Sequence, residues 1–249
     1  MTKIDTGDAR IVVYKLNLTG FEKDHVDHHL KEDFKERKHY EYIFKETGSN
    51  KMDKYRCQKK FESLDEKGGD FNKNHMFGEV VREVERLAKD VNQNYIVREW
   101  VILASFGGGG RQDLHFDIAD ARRRKSNKCG WKGSFLVALG YGAKLILDVD
   151  KNRVVTKMLE IPPYHVCFFR SDVEHAGAGY DSMNLRLHGN CTFASCEDED
   201  RERNNNVVGA ARRCVYCRKT KFKSTESCRV HMSNCKKKTV LVKAGTTNT

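Results

Sequence analysis

The hydrophobic pattern predicts one well-defined helix followed by a series of strands. Over 77–91 the apolar residues Phe77, Val80, Val81, Val84, Leu87, Ala88 and Val91 recur at i, i+3 and i+4. Glu79, Arg82, Glu83, Glu85 and Arg86 fill the opposite side. That is a helix with a single buried stripe, placed to buttress a sheet. Residues 95–106 read as a strand. Four glycines, Gly107 to Gly110, then make a permissive turn. They are not a P-loop, because no Lys-Ser/Thr follows them. The continuous apolar run over 131–139 predicts a buried strand, Gly140 to Ala143 a turn, and 144–149 the return strand. A further apolar strand over 164–169 leads through Arg170, Ser171 and Asp172 to His175, and 184–188 forms the last strand.

Residues 21–67 are of another kind. They are rich in Lys, Glu, Asp and His, with scattered aromatics such as Phe34, Tyr40, Tyr42 and Phe44. We read them as surface helix and loop, an elaboration at the edge of the core, with His25, His28 and His29 on a solvated face.

Charge divides the chain more sharply than hydrophobicity does. The net charge is +11 over 249 residues. Residues 201–249 hold 13 Lys or Arg against Glu202 and Glu226, which accounts for all of that excess. The acidic run Glu197-Asp198-Glu199-Asp200 and the polar stretch after it mark a linker. The predicted divisions are an N-terminal elaboration (1–76), a core (77–195), a linker (196–211), a small basic segment (212–238) and a tail (239–249). No apolar run approaches the ~20 residues that span a membrane, and the first residues show no signal-peptide pattern. Nine Cys without such a signal point to thiols or metal ligands. The expectation is an intracellular protein, nuclear rather than cytoplasmic, with no membrane partner.

The strands carry a set of metal-binding residue types. His115 and Asp117 stand at i and i+2, so one strand would present both on the same face. His175 must come from a different strand. Two histidines and a carboxylate are the ligand set of a non-haem Fe(II) facial triad, which leaves positions open for a cosubstrate and oxygen. Arg186 follows His175 by eleven residues (186 − 175), enough for a turn and a return along an adjacent strand. A guanidinium there would hold a dicarboxylate through a two-point fork.

The succession His-x-Asp, hairpins, an apolar strand ending in Phe and a short acidic turn, His, then Arg on the last strand resembles the Fe(II)/2-oxoglutarate-dependent dioxygenase superfamily. The resemblance covers roughly residues 77 to 190. It implies a mainly β fold with flanking helices around a double-stranded β-helix (jelly-roll) core. It implies Fe(II) on His115, Asp117 and His175, and 2-oxoglutarate held by Arg186 through its distal carboxylate. His188 stands where some members place a hydroxyl residue beside that carboxylate. The implied chemistry is decarboxylation of 2-oxoglutarate to succinate coupled to hydroxylation of a C–H bond; on an N-methyl group the outcome is demethylation. The subfamily is open. Asp117 and Arg186 differ from the His-x-Glu and Lys of histone-demethylase-like members, and prolyl-hydroxylase-like members are also expected to carry Lys there. The stretch Arg186 to Thr192 departs at most positions from the Arg-x-Asn-x-Thr-x-Arg of AlkB-like repair enzymes.

The basic segment carries its own spacing. Cys214-x2-Cys217 and His231-x3-Cys235, with thirteen residues between the pairs, match Zn(II) ligands. The stretch resembles a ββα zinc finger whose last His is replaced by Cys. Phe222 and Cys228 take its core positions, with Cys228 also a candidate to replace His231 as ligand. The positions that would read bases, Ser224, Ser227 and Val230, include no Arg or Lys. The many Lys and Arg around them suit phosphates without sequence preference. Arg122, Arg123, Arg124 and Lys125 form a second basic cluster, expected at the mouth of the iron site, where it would bind or steer an anionic substrate. Together these features predict a dioxygenase that hydroxylates or demethylates a nucleic acid or a protein bound to one. Two other readings are a protein side-chain or small-molecule hydroxylase, and a non-catalytic jelly-roll and zinc-finger binding module. The last would not need Arg186.

Overall fold

The computed structural model describes residues 3–36, 40–42, 44, 51–60, 77–117, 131–148 and 156–193. Their elements run β1 (Lys3–Ile4), β2 (Ile11–Lys15), α1 (Gly20–Glu36), β3 (Arg56–Lys60), α2 (Gly78–Val91), β4 (Tyr95–Ser105), β5 (Gly133–Ala138), β6 (Ala143–Asp148), β7 (Thr156–Ile161), β8 (His165–Arg170), β9 (His175–Gly177) and β10 (Asn184–Phe193).

The strands form a seven-stranded sheet ordered β1-β2-β8-β5-β10-β4-β3 and a three-stranded sheet ordered β7-β6-β9. All the pairings between these strands are antiparallel. The chain changes sheet between β5 and β6, returns between β7 and β8, and crosses again on either side of β9.

The large sheet is buried on both faces, and alternation within each strand shows how. In β5, Phe135 and Val137 join a cluster with α2, while Leu136 and Ala138 join one with the small sheet. β8 repeats the division, with Val166 and Phe168 on the helix side and Cys167 and Phe169 on the other. Two buried faces explain why 133–138 reads as unbroken apolar sequence. Val80, Val81, Val84, Leu87 and Ala88 of α2 are buried, as their spacing predicts.

The N-terminal segment is more integrated than its composition suggests. β1, β2 and β3 extend both edges of the large sheet. Within 21–67 the surface-helix reading fits α1 but not β3, whose Arg56, Cys57 and Gln58 are buried. The reason is visible in the residues: β3 turns polar side chains inward, so no apolar alternation betrays it. Among the described residues no helix is long and apolar enough to cross a membrane. The zinc-spaced residues Cys214, Cys217, His231 and Cys235 and the basic cluster 122–125 lie outside the described residues.

Candidate metal centre

His115, Asp117 and His175 come together, each offering a ligand atom within 4.8 Å of the others. The backbone brings the histidines face to face. His115 donates its N–H to the His175 carbonyl at 2.7 Å, and His175 donates back at 2.9 Å. Such a pair puts both side chains on one side of the ribbon. His175 opens β9, where it pairs with Leu147 of β6 on its other edge. His115 stands in an isolated bridge rather than a longer strand.

The ring orientations suit metal binding. His115 Nδ1 lies 2.8 Å from the Asp113 carbonyl and His175 Nδ1 lies 3.1 Å from the Val173 carbonyl. A carbonyl can only accept, so each Nδ1 carries the proton and each Nε2 turns to the centre. There Asp117 Oδ1 lies 3.3 Å from His175 Nε2 and 3.6 Å from His115 Nε2. Ligand atoms at right angles on a metal at roughly 2.1 Å stand about 3 Å apart, so Asp117 is near facial spacing from each histidine, and the histidine pair stands within 4.8 Å. Phe169 packs edge-on against the His175 ring, with centroids 4.6 Å apart.

Protonation follows from burial and neighbours. Burial and the His175 imidazole push His115 down to about 4, so it is neutral at ordinary pH. Burial works to raise Asp117, but the imidazoles of His175 and His188 hold it well below the usual carboxylate range. Burial works to lower His175, and Asp117 outweighs that to raise it. The site therefore holds a carboxylate and one neutral imidazole, with the second imidazole biased by Asp117 toward its protonated form.

Arg186 reaches the same region from the large sheet. It lies on β10 opposite Leu103 of β4 and Ala138 of β5. β9 and β10 belong to different sheets, so the return after His175 runs along a facing strand, not the adjacent one the spacing suggested. Arg186 is 4% exposed. Its Nη1 donates to Ser105 Oγ at 2.9 Å and to Asn184 Oδ1 at 3.3 Å, and its Cζ lies 5.4 Å from the Tyr180 ring centroid. Burial pushes its pKa down, yet a guanidinium stays charged. Among the described residues no Asp or Glu ion-pairs with it. Gly177, one side-chain step along β9 from His175, lets the Gln112 side chain approach its backbone, donating its N–H to Gln112 Oε1 at 2.9 Å; a Cβ there would collide with that oxygen and stand 3.6 Å from Arg186 Nη2.

His188 shares the face of Arg186 but meets a different partner. Its Nε2 lies 3.1 Å from Asp117 Oδ2, on the metal side rather than beside Arg186. Sequence reasoning also missed Arg56. This buried side chain pairs with Asp53 and donates to the carbonyls of Gly110 and Ala178, the latter at 3.2 Å. It ties β3 to the segments leading into His115 and out of β9. Ser105, Gln112 and Tyr180 were missed too; isolated polar residues in strands give no signal of what they face.

Comparison with solved structures agrees with this architecture. A prolyl hydroxylase from Trichoplax adhaerens, in complex with a hypoxia inducible factor oxygen degradation domain peptide fragment, has a TM-score of 0.52 at 12% identity. The match covers 80% of this chain and 89% of that one. A Pseudomonas putida prolyl-4-hydroxylase has a TM-score of 0.51 at 12% identity, covering 74% of this chain and 92% of that one. The non-heme alpha ketoglutarate dependent epimerase SnoN from nogalamycin biosynthesis has a TM-score of 0.52 at 14% identity, covering 74% and 79%. No family model and no curated protein matches the sequence. The chain has the jelly-roll fold of these oxygenase structures.

Proposed function

We propose that this chain is a Fe(II)- and 2-oxoglutarate-dependent dioxygenase, an oxidoreductase. The observation that carries the reading is the coexistence of a His-Asp-His cluster with a buried guanidinium whose hydrogen-bond partners are neutral. A buried cation without a counter-charge is costly. A dicarboxylate that binds metal at one end and Arg186 at the other would supply the missing charge. The donor set fits Fe(II): a carboxylate and two imidazoles, each turned by a backbone carbonyl to offer Nε2. His115, Asp117 and His175 would hold the metal. With the metal and 2-oxoglutarate bound, dioxygen would be the oxidant: 2-oxoglutarate would be oxidised to succinate and carbon dioxide, one oxygen atom ending in succinate and the other in the hydroxyl group placed on an unactivated C–H bond. The chain's own part is to bind, orient and shield. Arg186 fixes the distal carboxylate, Ser105 and Asn184 fix Arg186, and Phe169 keeps water from the His175 ring.

The substrate is a separate part of the proposal. A nucleic acid, or a protein bound to one, is favoured by the confinement of the whole net charge to 201–249 and by the run Arg122 to Lys125. Zn(II) on Cys214, Cys217, His231 and Cys235 would make that basic segment a docking unit. The second reading is hydroxylation of a protein side chain or small molecule. It is favoured by the fold-similar structures, one of which is named for its complex with a peptide fragment and another for nogalamycin biosynthesis.

The deciding experiment is anaerobic. Fe(II) and 2-oxoglutarate added to the protein should produce a visible metal-to-ligand charge-transfer band, absent in His175→Ala and Arg186→Ala. A folded, reloaded protein without the band would sink the oxygenase reading. With the band in hand, succinate release from methylated oligonucleotides, peptides and small molecules separates the two substrate readings.

A further inference from the structure

Asp117 is held differently from its two companions. The ligand histidines are fixed by backbone carbonyls on their own segments. The Asp117 carboxylate is fixed by a side chain from the other sheet: His188 Nε2 lies 3.1 Å from Oδ2. The two carboxylate oxygens thus face different neighbours. Oδ1 faces His175 Nε2 at 3.3 Å and His115 Nε2 at 3.6 Å, while Oδ2 is turned to His188. His188 itself is not among the side chains whose donor atoms cluster within 4.8 Å.

β10 is shaped to deliver this contact. Leu185 and Leu187 face the helix-side core, which leaves Arg186 and His188 on the face toward the small sheet. The pairing of β10 with β4 shifts register between His188 and Asn190. The extra residue lies on β4, where Glu99 (φ 58°) and Trp100 stand opposite the single Gly189, while Gly189 keeps its register with Phe135 of β5; a Cβ on Gly189 would stand 2.5 Å from Phe135 Cζ and 2.8 Å from the Arg98 carbonyl.

We propose that His188 is a positioning residue that keeps Asp117 a one-oxygen ligand; the assignment rests on the metal-site reading above. A free carboxylate can swing to bind a metal through both oxygens and so occupy an extra coordination position. A facial triad works only if those positions stay open to cosubstrate and oxygen. An N–H donated to Oδ2 takes that oxygen out of competition and fixes the plane of the carboxylate. Partners of this kind typically contribute 10–100-fold to metal affinity.

The test uses Co(II) as an oxygen-stable probe. Wild type, His188→Ala and His188→Gln are titrated with Co(II) and followed by visible absorption, then titrated with 2-oxoglutarate at saturating metal. Gln is chosen because its side-chain N–H can stand where Nε2–H stands. The expected result is Co(II) binding weakened roughly 10–100-fold in His188→Ala, with 2-oxoglutarate binding at saturating metal weakened alongside it because the second carboxylate oxygen competes for a cosubstrate position, and both restored in His188→Gln. An altered Co(II) band shape in His188→Ala would report the change in carboxylate mode. Wild-type metal affinity in a folded His188→Ala overturns the proposal. So does a loss confined to 2-oxoglutarate affinity, which would place His188 with the cosubstrate. If wild type binds no Co(II), or His175→Ala binds it equally well, the metal-site reading itself has failed and this assignment goes with it.

Discussion

The backbones of His115 and His175 hydrogen-bond to each other in both directions, at 2.7 and 2.9 Å. The frame that sets the two imidazoles side by side is therefore independent of the imidazoles. His115→Ala and His175→Ala should both fold, with unchanged far-UV circular dichroism, and both should lose Fe(II) binding and turnover to background. Metal titration beside a thermal melt checks this; a variant that unfolds would show that the rings, not the bridge, hold the segments together.

Arg186 separates stability from function. Its guanidinium is buried with the neutral partners Ser105 and Asn184. Replacing a buried charge by an apolar side chain of similar volume is often stabilising, by roughly 1–4 kcal/mol. Arg186→Met should raise the denaturation midpoint of the metal-free protein while abolishing 2-oxoglutarate binding. Arg186→Lys keeps the charge and loses the fork. It should raise KM for 2-oxoglutarate roughly 10- to 100-fold, the worth of one charge-assisted hydrogen bond at about 1.5–3 kcal/mol. A KM unchanged in Arg186→Lys would count against the distal carboxylate lying there.

Metal binding should release one proton in the pH range where His175 is protonated and none above it. Ligation needs both imidazoles neutral. His115 already is, with its pKa pushed down to about 4. His175 is raised by Asp117 against the effect of burial, so it holds a proton the metal must displace. The sign follows: affinity climbs with pH while His175 is protonated and levels off above its raised pKa. Below about 4, where His115 also takes up a proton, the dependence steepens. Calorimetric titration in buffers of different ionisation enthalpy counts the protons; release of two near neutral pH would contradict the assignment.

Gly189 offers a stability test of the close approach of β10 to β5 and β4. A methyl group there meets the Phe135 ring and the Arg98 carbonyl at van der Waals overlap. Overpacking of this kind costs roughly 1–3 kcal/mol. Gly189→Ala should lower the urea midpoint accordingly, and a cost near zero would mean that β10 and β5 slide apart easily.

Much of the core was legible because its strands have two apolar faces. The runs behind β5, β6 and β8 and the stripe of α2 needed only counting. His115, Asp117 and His175 were legible as residue types with a suitable spacing. Three things were hidden, each for a physical reason. β3 buries Arg56 and Gln58, so its inward face looks like an outward one. The turn after β9 crosses between sheets, and residue spacing cannot tell a facing strand from a neighbouring one. For His188, the i+2 rule gives the side of the strand it shares with Arg186 but not the partner it meets, which depends on where the segment carrying Asp117 lies across from it.

The order of strands in the large sheet sets the order in which a ribosome can complete it. Ile11 waits for Phe169 as its partner, an interval of roughly ten to thirty seconds at ordinary synthesis rates. β10 fills the place between β5 and β4, so until it is made those strands have a gap where their shared neighbour belongs. A nascent chain that stops short of β10 already contains His115, Asp117 and His175. It lacks the strand that closes the sheet and delivers Arg186 and His188. Premature termination before β10 therefore yields chains that are not merely shorter but open at the centre.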